Sequence, residues 1–388
     1  MYEFDRLLER KGTDSAKWDA MQQNYGDSGL TPLWVADTDF PVLPELERAL
    51  SERAVNATFG YTFAGEGYYK SLIDWNARRS GLRVAKEEVL DVPGVVCGIS
   101  FVLAALTKPG GKVLICPPVY PPFFAVPKAL NRELVFSPLR RGEAGRHEVD
   151  FGGFEAKLKE GVKAFILCSP HNPVGRVWEK SELEKLAELC ARYGTLVISD
   201  EIHSDLIFPG RKHVPFLNAS PKAEEISVTA MAPSKTFNVA GLKASYLIVR
   251  NPELRKKIRE ELERFHVGVN LFGYKAAEVV YRDGERWLEE LLVYLEDNAR
   301  FVLSFVESHL PRVGAYMPES TYLMWLDFSA YGLEQEVLMK KFAGEAKVAL
   351  NSGTAFGEEG KGHVRLNIGT TRALIREGLE KIAAAFGA

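Results

Sequence analysis

Lys235 is the residue of this chain with the clearest capacity for covalent chemistry, because it lies in a short polar loop directly after an apolar run. The run, residues 226–230, predicts a buried strand. A lysine at the end of such a strand loses its proton more readily than a solvated lysine. A neutral amine can form a Schiff base with an aldehyde cofactor. Most lysines are solvated surface charges, so the assignment depends on what accompanies Lys235.

Three further apolar runs end near polar or aromatic residues of complementary types. Residues 113–116 lead to Tyr120, residues 164–168 lead to Asn172, and residues 195–199 lead to Asp200. A carboxylate keeps a pyridine nitrogen protonated, so that the ring accepts electrons. An amide can hydrogen-bond a ring hydroxyl, and an aromatic side chain can stack on a ring face. Together the four segments offer the groups that could bind a cofactor consisting of a pyridine ring with an aldehyde substituent.

Continuous apolar runs alternate with amphipathic segments through the middle of the chain, which predicts a mostly parallel, doubly wound sheet. In residues 181–190, Ser181 and Glu184 have the spacing of a capping box, and every third or fourth residue is apolar. Ligands bind such sheets at the carboxyl ends of the strands, where all four candidate residues fall. Further along, the pattern predicts a long helix over 285–309 and strands over 321–328 and 364–368.

Composition excludes several classes of function. The chain has 388 residues, 46% hydrophobic and 26% charged, which is typical of a globular protein with about two domains. A net charge of −3 gives no electrostatic reason to expect nucleic acid or an anionic membrane as partner. The amino terminus lacks a signal-peptide pattern, and no apolar run approaches the roughly 20 residues of a membrane span. We therefore expect a cytoplasmic protein.

The four cysteines are too scattered for a metal site. Three of them, Cys116, Cys168 and Cys190, lie in or beside apolar runs and are expected to be reduced core thiols. Cys97 alone, beside Gly98 in a loop that is a candidate for binding phosphate, leaves open a catalytic thiol.

The order of the motifs resembles one family over nearly the whole chain. The motifs are Tyr120, Ser-Pro-His-Asn-Pro-Val-Gly (169–175), Asp-Glu-Ile-His (200–203), Ser-Lys-Thr-Phe-Asn (234–238) and Val-Arg-Leu-Asn-Ile-Gly (364–369). They resemble those of the fold type I pyridoxal-phosphate enzymes of the class I/II aminotransferase group. Residues 4–6, 17–19, 34–40 and 60–62 make the chain most similar to the branch of cystathionine β-lyases and related carbon–sulfur lyases.

This resemblance implies a fold, a cofactor and an assembly. The implied α/β fold has a large domain (46–280) with a mostly parallel doubly wound sheet, and a smaller α/β domain from both chain ends (1–45 and 281–388). The implied cofactor is pyridoxal 5′-phosphate. The implied assembly is a homodimer with shared active sites that binds a small amino-acid substrate.

The resemblance also implies the roles of individual residues. The implied catalytic residues are Lys235, Tyr61 and Tyr120. The implied substrate contacts are Arg365, Ala36 and Asn172. The implied cofactor contacts are Cys97, Gly98, Ile99, Tyr120, Asn172, Asp200, His203, Ser234, Lys235, Lys243 and, from the neighbouring subunit, Tyr61.

Several of these residues have another interpretation. The turn 93–98 could hold a phosphate at a helix N-terminus or be an ordinary loop. Arg365 is either the clamp for the substrate α-carboxylate or half of a buried ion pair. Without the resemblance Tyr61 would be a core aromatic. Asp39 is either near the substrate or a turn cap, and His203 is expected to support the cofactor from below.

The phosphate site departs from the pattern of many relatives in two places. Lys243 stands where an arginine is common. Its ammonium group is a compact charge, whereas a guanidinium is planar and can bind a phosphate through two parallel hydrogen bonds. Ala232 stands where a hydroxyl is common, which leaves Ser234 as the candidate hydroxyl. Aromatic residues expected to wall the pocket are Phe123, Tyr322 and Phe356.

The expected function is cleavage of the Cβ–S bond of L-cystathionine or related S-substituted L-cysteines to pyruvate, ammonia and a thiol. An aminotransferase that uses the same residues is the alternative, since both reactions begin with removal of the Cα proton. A regulator without catalytic activity is a further alternative. It is disfavoured because the chain holds both Lys235 and Asp200 and no N-terminal helix-turn-helix pattern.

Overall fold

The structure is a computed structural model that describes residues 2–142 and 145–387. Met1 and Ala388, the two ends of the predicted small domain, lie outside the described residues. Its α-helices are α1 (Met21–Tyr25), α2 (Pro44–Val55), α3 (Glu66–Ser80), α4 (Val95–Leu106), α5 (Pro122–Ala129), α6 (Phe151–Leu158), α7 (Lys180–Tyr193), α8 (Pro221–Ile226), α9 (Pro252–Arg264), α10 (Leu271–Asp283), α11 (Glu285–His309), α12 (Gln335–Lys341) and α13 (Arg372–Phe386). Its strands are β1 (Thr31–Pro32), β2 (Val89–Val92), β3 (Lys112–Ile115), β4 (Glu133–Phe136), β5 (Arg140–Arg141), β6 (His147–Glu148), β7 (Ala164–Cys168), β8 (Leu196–Asp200), β9 (Ser227–Met231), β10 (Ser245–Ile248), β11 (Gly314–Ala315), β12 (Leu323–Asp327), β13 (Val348–Ala349), β14 (Asn351–Ser352) and β15 (His363–Asn367).

A seven-stranded sheet forms the centre of the larger part of the chain. Its strand order is β2-β10-β9-β8-β7-β3-β4. Only β10 runs antiparallel to its neighbours, and the pairs from β9 to β4 are parallel. The four apolar runs of the sequence form β3, β7, β8 and β9, each displaced by no more than one residue. The predicted mostly parallel sheet is confirmed.

Both faces of this sheet are covered. In β7, Ala164 and Ile166 belong to the apolar cluster that contains α4. The intervening Phe165 and Leu167 belong to the cluster that contains α6 and α7. Because side chains alternate between the faces of a strand, a strand buried on both sides must be apolar throughout, and all five residues of β7 are buried.

A second, antiparallel sheet has the order β11-β12-β15-β14 and brings Trp325 opposite Arg365. The N-terminal strand β1 pairs in parallel with β13, so the beginning of the chain joins its C-terminal part. The confirmed fold class thus includes a smaller α/β unit from both chain ends. The boundaries at 45/46 and 280/281 stay a prediction. Helix α11 has the predicted bounds.

One local prediction was wrong. Helix α7 begins at Lys180, and its cap is Glu179, whose backbone N–H donates to the Glu182 carboxylate at 2.8 Å. Ser181 therefore lies inside the first turn, and the capping box is two residues earlier than the Ser181–Glu184 spacing indicated. Of the helices that the structure describes, none has the length and apolarity that crossing a bilayer requires.

Candidate active site

A cavity of about 230 Å³ lies at the carboxyl edge of the parallel strands. Its walls include nine of the predicted site residues: Ala36, Cys97, Tyr120, Asn172, Asp200, His203, Ser234, Lys235 and Lys243. Six of them, Tyr120, Asn172, Asp200, His203, Ser234 and Lys235, come together because parallel strands end at the same edge of a sheet, so the ends of β3, β7, β8 and β9 and the loops after them converge. Arg365 reaches this group through a hydrogen bond to Asn172.

Lys235 follows β9, and its amine points to the main chain of an N-terminal segment. Its Nζ donates to the carbonyl oxygen of Ala36 at 2.7 Å, and the Tyr322 hydroxyl donates to the same oxygen at 3.1 Å. Burial lowers the pKa of Lys235 to about 8, and repulsion from Arg365 adds to the effect. An appreciable fraction of the amine is therefore neutral near physiological pH, as a nucleophile or a general base requires.

Asp200 is the last residue of β8 and is buried. Burial raises the pKa of Asp200 to about 7, while the N–H of Ile202, 3.1 Å from its Oδ1, and the charge of Lys235 act in the opposite direction. Burial lowers the pKa of His203 to about 3, so this ring is neutral at physiological pH. Its Nδ1 has no hydrogen-bond partner among the described residues. His203 is therefore a neutral support of the cavity.

Arg365 on β15 is buried, and no acidic side chain in the described part of the chain pairs with it. Its guanidinium donates to Asn172 Oδ1 at 3.1 Å, to Asn351 Oδ1 at 2.7 Å and to the Trp34 carbonyl at 3.2 Å. The ring of Phe356 lies 4.9 Å from its Cζ. No described Asp or Glu forms an ion pair with it, and its Nε has no partner among the residues that the structure covers. The alternative of a structural ion pair is thereby excluded for these residues, and the group is suited to an incoming anion.

The N-terminus of α4 supplies the main-chain donors of the cavity. Val95, Val96 and Cys97 occupy its first three positions, where the N–H groups have no acceptor within the helix. All three line the cavity together with Lys243, so donors and a positive charge converge on one end. Burial raises the pKa of the Cys97 thiol. This shift disfavours the thiolate, which is the nucleophilic form.

Gly98 and Ile99 do not line the cavity, contrary to the predicted phosphate contacts. The N–H of Gly98 donates to the Gly94 carbonyl at 2.9 Å and is not free for a ligand. A Cβ at Gly98 would lie 2.9 Å from Leu247 Cδ2, so this glycine permits close packing of α4 on the sheet. The prediction placed the exposed amides too late, because the sequence does not mark the first helical residue in the run 93–98.

Tyr61 does not line the cavity of its own chain. It lies in the loop between α2 and α3 and is fully exposed, and Phe59 and Phe63 in the same loop are largely exposed. Ala232 is buried in the core of the sheet, which leaves Ser234 as the hydroxyl at the cavity. The predicted shared role of Tyr61 stays a prediction.

The three aromatic residues that were predicted to wall the pocket do not line the cavity, but each contacts a residue of the site. Phe123 packs edge-on against Tyr120 with 5.8 Å between ring centroids, and Phe356 lies under Arg365. Tyr322 holds the same main-chain oxygen as Lys235.

Sequence reasoning missed a buried cluster of charges beside the cavity. The carboxylate of Asp39, for which a turn cap was considered, accepts from Lys17 Nζ at 2.6 Å, from Trp18 Nε1 at 3.0 Å and from Arg10 at 2.7 Å. Arg10 also contacts Asp37 at 2.7 Å. The opposite charges of segments 17–19 and 34–40 were the available signal. For Asn351, which accepts a hydrogen bond from Arg365, the sequence contains no such signal.

The sequence matches the family described as aminotransferase class I and II over residues 38–382. The cystathionine β-lyase PatB of Bacillus subtilis (strain 168) is 42% identical, and the match covers 98% of this chain and 99% of PatB. A pyridoxal-phosphate-bound structure from Clostridium difficile 630, described as an aminotransferase, is 40% identical with a TM-score of 0.98 and covers 100% of both chains.

A third similar protein is a carbon–sulfur lyase. This pyridoxal-phosphate-bound lyase from Staphylococcus hominis is 32% identical, with a TM-score of 0.93 over 100% of this chain and 98% of that one. Sequence and fold thus agree over the full length. The chain belongs to the aminotransferase class I and II family, in its branch of cystathionine β-lyases and related carbon–sulfur lyases.

Proposed function

We propose that this chain is a pyridoxal-phosphate-dependent carbon–sulfur β-lyase that cleaves L-cystathionine or related S-substituted L-cysteines. The observation that carries the proposal is the guanidinium of Arg365, buried without an acidic partner among the described residues and coupled to the same cavity as Lys235. An α-carboxylate is the complement of such a group, so the site fits an amino acid. The choice of a lyase is supported by the likeness to PatB and to the lyase of S. hominis.

The residues around the cavity fit pyridoxal phosphate, group by group. Lys235 would hold the aldehyde carbon, Asp200 the pyridine nitrogen, and the amides of α4 with Lys243 and Ser234 the phosphate. Asn172 uses its Oδ1 for Arg365, so its Nδ2 is left to donate to a ring oxygen. The chemistry that the cofactor supplies when bound is an electron sink for the pair left on the substrate Cα.

The reaction of the proposed lyase then distributes protons among named side chains. Lys235 takes the Cα proton, for which its lowered pKa of about 8 is suited. The Cβ–S bond breaks and its electron pair leaves on sulfur, which takes a proton from Tyr120 or from Tyr61 of the second copy. Burial raises the pKa of Tyr120, so its phenol carries that proton at neutral pH. The released three-carbon enamine is hydrolysed by one water to pyruvate and ammonia.

The test is to incubate the purified holoenzyme with L-cystathionine alone and to follow pyruvate and free thiol. A lyase releases both over many turnovers, and addition of an α-keto acid does not increase the rate. The aminotransferase alternative, favoured by the description of the C. difficile protein, stops after one turnover unless an amino acceptor is added. A single turnover followed by recovery on addition of 2-oxoglutarate would overturn the proposed lyase.

The second copy of the chain belongs to the same proposal. Residues 54–63 are all exposed in a single chain, and they present the aromatic side chains of Phe59, Tyr61 and Phe63. In the resembling family the matching tyrosine reaches the cofactor phosphate of the neighbouring subunit. Docking of residues 54–63 on a second copy would cover these aromatics and bring Tyr61 to the other cavity.

Mixing of two inactive variants tests the shared site. Tyr61→Phe chains and Lys235→Ala chains, each well below wild-type activity, are combined so that verified mixed dimers form. One site of each mixed dimer then has native Lys235 and a native Tyr61 from its neighbour, so activity returns. No recovery in verified mixed dimers means that Tyr61 serves its own subunit.

A cytoplasmic location is the remaining part of the proposal. All four cysteines are free thiols, and three of them are buried. Proteins of reducing compartments keep their thiols in this state.

A further inference from the structure

Residues 34–39 form an irregular segment along the cavity, here called the strap. Its carbonyl groups accept hydrogen bonds from two cationic side chains of the site, Lys235 and Arg365. Ala36 accepts from Lys235 Nζ at 2.7 Å, and Trp34 accepts from Arg365 at 3.2 Å. The place of the strap therefore contributes to the position of both side chains, and Arg365 is also held by Asn172 and Asn351.

Asn238 ties the strap to the loop that carries Lys235. Its Oδ1 accepts from the Thr38 N–H at 3.2 Å, and its Nδ2 donates to the Thr38 carbonyl at 2.9 Å and to the Phe40 carbonyl at 3.4 Å. Asn238 follows Lys235 by three residues. The hydrogen bonds of Asn238 thus connect the lysine loop to the strap at a second point, besides the bond between Lys235 and Ala36.

The identity of this residue follows from two demands. Its backbone has φ of +56°, in the left-handed region that asparagine enters more readily than most residues. Its side chain must both accept from the N–H and donate to the carbonyl of one residue, Thr38, which among side chains of this size suits a carboxamide.

The rest of the strap is held by other parts of the chain. Asn367 on β15 donates to the carbonyls of Val35 and Asp37, and the N-terminal segment contributes Arg10 and Lys17. None of these ties involves the lysine loop. Among the described residues, Asn238 is therefore the side chain that joins the strap to that loop besides Lys235 itself.

We propose that Asn238 is a positioning residue that fixes the strap against the lysine loop and thereby sets the approach of Lys235 Nζ to the reacting carbon. This inference rests on the proposed role of Lys235 and not on the choice between lyase and aminotransferase. A displacement of a reacting group by about 1 Å can lower a rate by about 10²-fold, so a tie of this kind has a measurable effect.

Two variants and a matched control separate the effect of losing the carboxamide from any effect on the backbone conformation. Asn238→Gly keeps a residue suited to φ of +56° and removes all three hydrogen bonds. Asn238→Asp keeps the acceptor for the Thr38 N–H and removes the donor. Asn131→Gly is the control, because Asn131 has φ of +57° and an exposed side chain. We expect kcat to fall about 10²-fold for Asn238→Gly and about 10-fold for Asn238→Asp, with KM changing far less and the control unchanged.

A second readout does not depend on turnover. Cofactor-free full-length protein is mixed with pyridoxal phosphate, and the rate of covalent linkage to Lys235 is followed by absorbance. Pyridoxamine phosphate, which cannot link to a lysine, measures whether the cavity itself is intact. We expect the linkage rate of Asn238→Gly to fall in parallel with kcat while its affinity for pyridoxamine phosphate is unchanged.

Three outcomes decide the proposal. Wild-type linkage rates and kcat in both Asn238 variants would overturn it, and so would a parallel loss of pyridoxamine phosphate affinity, which indicates general damage to the cavity. A slowed rate of covalent linkage to Lys235 with an unchanged affinity for pyridoxamine phosphate supports the proposal. This holds even if the wild type cleaves no L-cystathionine. In that last case the lyase proposal fails and the positioning role stands.

Discussion

The two sides of the cavity are built in different ways. Asn172, Asp200 and Lys235 follow parallel strands, so the hydrogen-bonded ladder of the large sheet places them. The strap has no strand or helix of its own and is placed by side chains from four other parts of the chain: the N-terminal segment, the lysine loop, Tyr322 and β15. The sheet side therefore carries the reacting groups on a stiff frame, while the strap side depends on individual polar contacts.

This difference separates two kinds of sensitivity. A substitution on the sheet side removes a reacting group and leaves the frame, because the ladder does not depend on that side chain. A substitution on the strap side removes part of what holds the segment. Lys17 and Asp39 are both fully buried, where an unpaired charge is costly.

The largest effect is expected from Lys235→Ala. Loss of the proposed general base and of the amine proposed to hold the cofactor should lower kcat/KM by about 10⁴-fold or more. The fold and the far-ultraviolet circular dichroism should be unchanged, because β9 keeps its pairing. Steady-state pyruvate release measures the first expectation, and activity within tenfold of wild type would show that another residue is the base.

Asp200→Asn should lower kcat by about 10²–10³-fold, the effect of removing one charged group from a site where charge develops. The amide keeps the shape and can still accept from the Ile202 N–H, so the loss is assigned to the charge. Asp200→Ala is the companion variant. Equal losses in the two support this reading, whereas near-normal turnover of Asp200→Asn would assign the pyridine nitrogen to another residue.

Asp39→Asn tests the strap side. Lys17 would then have Asp37 at 3.9 Å as its nearest carboxylate, and loss of one partner of a buried pair costs about 3–5 kcal/mol of the free energy of unfolding. The exposed pair Lys70–Asp74 is the control, where Asp74→Asn should cost less than about 1 kcal/mol. Urea unfolding of the cofactor-free protein measures both. Equal costs would show that the buried cluster does not hold the strap.

The smallest effect is a pH dependence of stability caused by Lys235. Its pKa is about 8 in the folded, cofactor-free chain and near 10.5 when unfolded. The unfolded state therefore binds more protons between these values, and stability should rise with pH across that window. The difference between wild type and Lys235→Met isolates this contribution. A difference that is flat from pH 8 to pH 10 would contradict the lowered pKa.

The sheet side could be predicted from the sequence, and most of the strap side could not. Tyr120, Asn172, Asp200 and Lys235 each follow an apolar run, and the rule that parallel strands end together brings them to one edge. The contact of Asn238 with Thr38 joins positions 200 residues apart in the chain, and no periodicity marks it. Such contacts depend on how two units of the chain pack, which local patterns do not encode.

The predicted phosphate contacts show a finer limit of the same kind. The segment 93–98 was identified, but the free amides are those of Val95 to Cys97, and Gly98 packs against Leu247. A shift of two residues changes which N–H groups are free, although the element itself was correctly expected. Helix ends are decided by caps and neighbours, so their residue-level position requires the structure.

The most direct test of the account is where the cofactor is attached. The wild-type holoenzyme is reduced with borohydride, digested, and the peptides are mapped by mass spectrometry. The account predicts that the reduced cofactor is found on the peptide that contains Lys235, at that residue. Cofactor on Lys243 or on any other lysine, with Lys235 unmodified, would contradict the assignment on which the proposed site and mechanism depend.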